Sequence, residues 1–234
     1  MISVCIATYN GGEMLRVQLE SIVCQLSKDD EVVLSEDGDM DATLELVSTI
    51  DYPNIRVVEG AKVKSPIYNF ENCIRHAKGD IIFLSDQDDK WLPGKVERMV
   101  EALEDSDCVC SDCIVTDGGF NVTSDSFYKL LGMKPGKYFN LFQRNCYLGC
   151  CMAFRSSILK KVLPFPKNLP MHDIWIGNVA AFYYRMKFID DKLILFRRHG
   201  SNSSSTANPS PYTIKDKLNF RYQIVKDLII ASFR

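Results

Sequence analysis

Residues 81–84, Ile81-Ile82-Phe83-Leu84, run straight into Ser85-Asp86-Gln87-Asp88-Asp89. Four consecutive apolar side chains do not suit a strand with one wet face. They predict a short strand buried on both faces, as in a parallel sheet covered by helices. The acids then fall at its C-terminal end, where open α/β sheets bind ligands. Three carboxylates this close repel one another unless a positive charge lies between them. A hard divalent cation, Mg2+ or Mn2+, held by one or two carboxylates plus ligand phosphates meets that need. The plain alternative is a strand end running into a solvated acidic turn, since Asp is a common turn residue.

The flanking sequence repeats this strand-then-loop pattern. Residues 2–7 predict a buried strand that ends in Thr8-Tyr9-Asn10-Gly11-Gly12. Leu15, Leu19, Ile22, Val23 and Leu26 then share one helical face. Residues 31–35 predict a second strand entering Glu36-Asp37-Gly38-Asp39, followed by a helix over 42–50 and a strand over 54–58. A helix over 67–77 turns Phe70, Cys73, Ile74 and Ala77 inward, with Gly79 expected as its C-cap. Pro93 suits the first turn of a helix carrying Val96, Met99, Val100 and Leu103, and residues 108–115 predict another strand. Alternating strands and helices argue for a parallel sheet with right-handed crossovers.

Beyond Thr116 the alternation weakens. Residues 117–136 are polar and carry no assigned element, whereas 148–154 predict a strand and 156–162 a short helix broken by Leu163-Pro164-Phe165-Pro166. A helix over 173–184 and one or two strands over 187–196 follow. Residues 201–211, rich in Ser, Asn and Pro, read as a mobile segment, and 212–233 as a last helix with basic and apolar faces.

A chain of 234 residues accommodates one large α/β domain with a small appendage. The net charge of −2 supplies no field that would draw the protein to nucleic acid. No apolar stretch approaches the ~18 residues of a membrane-spanning helix. Met1-Ile2-Ser3-Val4-Cys5 has no basic leader, so no signal peptide is expected. The nine cysteines form no framework and are expected as reduced thiols in a cytoplasmic compartment, with Cys5, Cys24 and Cys73 as small buried hydrophobes. Cys108, Cys110 and Cys113 have a spacing compatible with zinc, yet two share one strand face and no local fourth ligand is evident.

Parallel strands would bring residues 8–12, 36–41 and 86–89 to the same sheet edge. Small polar groups, a carboxylate pair and an acidic cluster meeting there fit a nucleotide diphosphate with a metal.

These residues resemble a known family. Ser3-Val4-Cys5-Ile6-Ala7-Thr8-Tyr9-Asn10-Gly11-Gly12, the Glu36-Asp37-Gly38 turn and Ser85-Asp86-Gln87-Asp88-Asp89-Lys90-Trp91 are similar to the inverting glycosyltransferases of family 2, which have the GT-A fold. Met171-His172-Asp173-Ile174-Trp175 and Arg198-His199-Gly200-Ser201-Asn202 resemble motifs of its rhamnosyltransferase-like bacterial branch. The resemblance covers nearly the whole chain to about residue 205. It implies a GT-A, Rossmann-like, mainly parallel sheet flanked by helices. Residues 1–116 would be the nucleotide-sugar half, 117–205 the acceptor half, and 206–234 a loop with a C-terminal amphipathic helix.

By resemblance, Thr8, Tyr9 and Asn10 line the nucleotide pocket, Asp37 or Glu36 meets the base, and Asp86 holds the ribose or a metal-bound water. Asp88 coordinates Mn2+ or Mg2+ with Asp89 behind it, and His199 adds a metal or diphosphate contact. Asp173 is the catalytic base. Trp91, Gly149, His172 and Trp175 belong near the acceptor, although both tryptophans are by type more often core residues. Two departures matter: the family's Asp-Asp-Gly-Ser turn here reads Glu36-Asp37-Gly38-Asp39, and Ile174 intervenes before Trp175.

The expected donor is a nucleotide-diphosphate sugar and the acceptor a glycan or lipid-linked glycan in surface polysaccharide synthesis, with no nucleic-acid partner. The last helix either packs on the domain or lies on the inner membrane face. Competing readings are a sugar nucleotidyltransferase, disfavoured by the absence of Lys and Arg from residues 8–12, an Asp-dependent phosphotransferase, and a catalytically silent nucleotide-sugar binding module.

Overall fold

The computed structural model describes residues 1–134, 136–198 and 212–234. Its core is a nine-stranded mixed sheet. Strands β1 (Ile2–Thr8), β2 (Glu31–Glu36), β3 (Ile55–Glu59) and β4 (Ile81–Ser85) pair in parallel in the order β3-β2-β1-β4. Val4, Ile6, Val32, Leu34, Ile82 and Leu84 are fully buried, as runs covered on both faces should be. The crossovers run through α1 (Gly12–Val23), α2 (Met40–Ser48) and α3 (Pro66–His76). The resemblance's expectation of a mixed, mainly parallel α/β sheet holds.

The sheet changes character past β4. A two-residue strand, β5 (Lys90–Trp91), leaves the acidic loop and leads into α4 (Lys95–Ala102). Strand β6 (Cys108–Thr116) is followed by β7 (Val122–Ser124), α5 (Phe127–Leu131), α6 (Lys137–Phe142) and β8 (Met152–Arg155). Then come α7 (Leu159–Val162), α8 (His172–Tyr183), β9 (Met186–Arg197) and α9 (Ile214–Ser232). β8 pairs antiparallel with both β4 and β6, while β6 and β9 form a long parallel ladder with irregularities around Asp112. β5 returns to pair antiparallel with β9, Lys90 opposite Leu195. The loop over residues 86–89 is thereby held between the end of β4 and the end of β9.

Several local readings need correction. The helix before β4 ends at Ala77 in extended backbone, so Gly79 is not its cap. A Cβ on Gly79 would lie 2.6 Å from the Ser3 backbone nitrogen, so glycine serves close approach to β1. Pro93 precedes α4 rather than opening it, because Gly94, with φ of 81°, takes the N-cap. Residues 149–151 form a 3-10 turn before the strand expected over 148–154. Cys24 is exposed rather than a buried hydrophobe. Cys108, Cys110 and Cys113 are free and fully buried, and they form no metal-binding group among the described residues.

Helix α9 packs on α8 and α7 through Ile224, Leu228 and Ala231, and the Tyr183 hydroxyl donates to the Leu228 carbonyl at 2.5 Å. Thr213 and Asp216 form a capping box at its start. None of the described helices is long and apolar enough to cross a membrane. The segment read as mobile, 201–211, lies outside the described residues.

Candidate active site

One large cleft, about 1280 Å³, runs along the C-terminal ends of β1, β2 and β4. The three strand-end loops expected at one edge do meet there. The Asp37 N–H donates to the Thr8 carbonyl at 3.0 Å, and the Tyr9 N–H to Gln87 Oε1 at 2.9 Å.

At one end of the cleft, Asp37 and Glu36 divide their work. Glu36 is fully buried. Its Oε1 accepts the N–H groups of Asn10 (3.2 Å) and Gly38 (2.6 Å), and its Oε2 accepts the Thr43 hydroxyl at 2.7 Å. It ties two loops together and is absent from the cleft wall. Asp37 lines the cleft; its Oδ1 accepts the Lys62 N–H and its Oδ2 is buried with no partner. Asp39, the other departure in this turn, caps α2 by accepting the Ala42 N–H at 3.1 Å. Asn10 takes a positive φ of 50°, a conformation Asn tolerates, and its Oδ1 accepts the Asp39 N–H at 2.8 Å. Thr8 and the 42 %-exposed Tyr9 complete this wall, with the Lys64 ammonium 5.3 Å above the Tyr9 ring.

At the end of β4, Asp86, Gln87 and Asp88 line the cleft while Asp89 is buried behind them. Asp89 Oδ1 accepts the Arg197 N–H at 2.8 Å, and its Oδ2 is buried without a partner. Asp86, Asp89 and Cys150 present ligand atoms that all lie within 4.8 Å of one another. Burial first, then the charges of Asp88 and Asp173, push Asp86 up to about 7. Burial, Asp86 and Asp88 likewise drive Asp89 well above the usual carboxylate range. Arg198, on the cleft wall, feels the charges of Asp88, Asp89 and Asp86. A buried, orphaned carboxylate oxygen amid mutually repelling acids fits a divalent cation.

Asp173 sits in the first turn of α8, where a carboxylate is favoured by the helix dipole. Its Oδ1 accepts the Ile174 N–H at 2.7 Å and its Oδ2 the Gly149 N–H at 3.2 Å. Burial outweighs these bonds and raises it to about 6. His172 stacks on Phe70 with centroids 3.9 Å apart, and neither ring nitrogen has a partner. Burial lowers its pKa to about 3, so the ring is neutral at working pH. Gly149 is required beneath it, since a Cβ there would lie 2.7 Å from His172 Nε2.

Trp91 and Trp175 are core residues away from the cleft wall. Trp91 packs on Phe83, and the Trp175 indole N–H donates to the Val162 carbonyl at 2.9 Å. His199 lies outside the described residues.

Four residues escaped the sequence reading. Asn69 donates to the carbonyls of Thr8 (3.0 Å) and Ser35 (2.8 Å), leaving its Oδ1 buried and unpartnered at the cleft. Tyr147 Oη and Asn178 Oδ1 are buried orphans on the same wall. Lys95 is fully buried beneath the acidic loop, donating to the Cys150 carbonyl at 2.7 Å with its ammonium 4.1 Å from the Trp91 ring. Its signal was legible: Lys95, Met99 and Ala102 share the inward face of α4, so a lysine stands where an apolar residue is expected.

Residues 3–163 match the family model described as glycosyl transferase family 2. A glycosyltransferase of Nostoc sp. is 26 % identical over 224 residues, covering 88 % of this chain and 67 % of the relative. The dTDP-rhamnosyl transferase RfbG of Shigella flexneri is also 26 % identical, over 84 % of this chain and 72 % of its own. Among solved structures, residues 1–349 of S. aureus TarS bound to UDP-GlcNAc superpose with a TM-score of 0.72 at 20 % identity, covering 98 % of this chain and 66 % of that fragment. The mannosyltransferase PcManGT of Pyrobaculum calidifontis, solved with GDP-Man and Mn2+, gives 0.64 at 17 % identity, over 98 % of this chain and 73 % of its own. At these identities the structural likeness establishes the GT-A fold alone. The chain spans about two thirds of the length of the Nostoc relative and 43 % of the longer TarS structure.

Proposed function

The chain belongs to glycosyl transferase family 2, and from that premise we propose that its cleft moves a sugar, with inversion, from a nucleotide-diphosphate donor to a hydroxyl of a glycan or lipid-linked glycan. One observation carries this reading. Asp37, the Asp86–Asp88 pair and Asp173 all open onto a single cleft, as a base contact, a diphosphate contact and a proton acceptor for one reaction must.

Asp37 Oδ2 and Asn69 Oδ1, both buried and unpartnered, are acceptors suited to the N–H groups of a nucleobase. Thr8 and Tyr9 flank them. Asp88 with Asp86 would hold Mn2+ or Mg2+ against the diphosphate, with Asp89 behind them and His199 as a further contact. When bound, such an ion neutralises the charge that develops on a departing nucleoside diphosphate. Asp173 would take the proton of the acceptor hydroxyl as it attacks. A carboxylate held by two backbone N–H groups is oriented for that task, and its raised pKa strengthens it as a base. A base facing the sugar from the side opposite the leaving group gives in-line displacement and inversion, with no enzyme nucleophile. The neutral His172 ring, stacked and orphaned beside Asp173, suits a hydrogen bond to the acceptor.

In this reading residues 1–116 form the donor half and 117–205 the acceptor half. The relative named for dTDP-rhamnosyl transfer supports a deoxysugar donor; surface polysaccharide synthesis at the inner membrane face is the role this reading assigns. Thermal shift with UDP, dTDP and GDP in the presence of Mn2+ should pick out one nucleotide. Hydrolysis of its sugar conjugates should then release the sugar with inverted anomeric configuration. Binding without turnover of any sugar nucleotide would indicate a silent binding module instead.

A further inference from the structure

Part of the cleft that Asp173 lines is built from α9 and the loop after α6, both beside α8, and its charge is one-sided. Lys217 and Arg221 lie one turn apart on α9 and both line the cleft, as does Arg144 from the loop. Like charges at i and i+4 destabilise a helix. No carboxylate offsets them: none of the three forms an ion pair among the described residues. Asp216, the nearest acid in sequence, is taken up by the Thr213 cap. The sequence extends the bias. Residues 126–172 contain eight Lys or Arg and no Asp or Glu, and residues 199–211 contain no acid either.

The two guanidinium groups are also positioned. Arg221 Nη2 donates to the Gln143 carbonyl at 3.0 Å and Arg144 Nη1 to the Leu131 carbonyl at 2.5 Å. Each guanidinium keeps further N–H donors for a ligand. Lys217 and Arg221, half-buried, and the exposed Arg144 stand at the cleft wall without an ion-pair partner among the described residues, and they suit an anion from outside. Fork-shaped guanidinium donors beside an ammonium suit phosphate oxygens. We infer that the acceptor bears phosphate, bound by Arg144, Lys217 and Arg221 while its hydroxyl meets Asp173. The inference rests on the glycosyl-transfer reading of the cleft. A lipid-linked diphosphate and a phosphodiester within a glycan backbone share this chemistry.

The test titrates farnesyl diphosphate, a glycerol phosphate oligomer and octyl glucoside into the protein held saturated with UDP and Mn2+. Binding of UDP–Mn2+ itself reports separately whether the donor reading stands. At least one phosphate probe is expected to bind without displacing UDP, and the stronger one identifies the source of the phosphate. Lys217→Gln/Arg221→Gln should weaken that probe at least fivefold, and Arg144→Gln, on a different element, should also weaken it. Lys215→Gln/Lys226→Gln removes the same charge from the exposed side of α9 and should leave the probe's affinity within twofold. Failure of both phosphate probes to bind, equal binding of octyl glucoside, displacement of UDP, or an equal loss in the Lys215/Lys226 variant would overturn the inference.

Discussion

The Gly149 N–H donates to Asp173 Oδ2 at 3.2 Å, which fixes the proposed base against a 3-10 turn that follows no regular strand. That bond joins the N-terminus of α8 to the segment leading into β8, the strand beside β4. The carboxylate of Asp173 and the acids ending β4 are therefore positioned through one another.

If Asp173 accepts the acceptor's proton, Asp173→Asn should lower kcat by about 10²–10⁴-fold, the usual worth of general-base catalysis. UDP affinity should change little, because the hydrogen bonds of Asp173 go to Gly149 and Ile174 and to none of Thr8, Asp37 or Asn69. The base must be ionised to act and its pKa is raised to about 6. Activity should therefore climb with pH through about 6 and level above it. A kcat–pH profile checks both the limb and its loss in the variant.

Gly149→Ala would place a methyl 2.7 Å from His172 Nε2 and 3.6 Å from Asp173 Cβ. His172 is clamped against Phe70 and cannot yield, so the 149–151 turn must shift. The expected cost is about 1–3 kcal/mol of stability, as for overpacking elsewhere. A fall in kcat should accompany it as the Gly149 N–H leaves Asp173. Adding His172→Ala should recover part of the stability. Thermal melts of the single and double variants measure this coupling.

Asp86 and Asp173 rise from 3.8 to about 7 and about 6, burial being the first cause in both. The folded state thus binds their protons more tightly than the unfolded chain. Their contribution to stability is full below about 3.8 and is lost as pH rises through about 6 and then 7. In metal-free protein, Asp86→Asn should consequently melt higher than the wild type at pH 8, by an amount on the order of 1–3 kcal/mol given Asp86's partial exposure. The gap should close towards pH 4. Added Mn2+ should stabilise the wild type far more than the variant. Melting curves across pH, with and without Mn2+, read all three effects.

Much of the donor half was legible because its signals are local. Val4–Ile6, Val32–Leu34 and Ile82–Leu84 are apolar runs too short for helices, and each runs into small polar or acidic residues. Beyond β4, the strands expected over 108–115 and 187–196 are found as β6 and β9, but their pairing was not legible. The strand expected over 148–154 begins only at Met152, because a 3-10 turn takes up 149–151, and the two-residue β5 carries no local signal. Asn69 and Asn178 matter through what their amides leave unpaired, which only tertiary packing decides. Gly79 looked like a cap because its role, making room for the Ser3 backbone, lies 76 residues away in sequence. Glu36 and Asp37 could not be told apart by type. Three donors close around Glu36, whereas Asp37 keeps one oxygen open at the cleft.

The central claim is that the acids after β4 seat a cation that grips a nucleoside diphosphate. Calorimetric titration of UDP, dTDP and GDP into wild type and Asp88→Asn, each with Mn2+ and with EDTA, tests it most directly. For at least one nucleotide, binding should be tight with Mn2+, and EDTA or Asp88→Asn should each weaken it by tenfold or more, with no further loss when the two are combined. Binding of that nucleotide with equal affinity in all four conditions would contradict the claim.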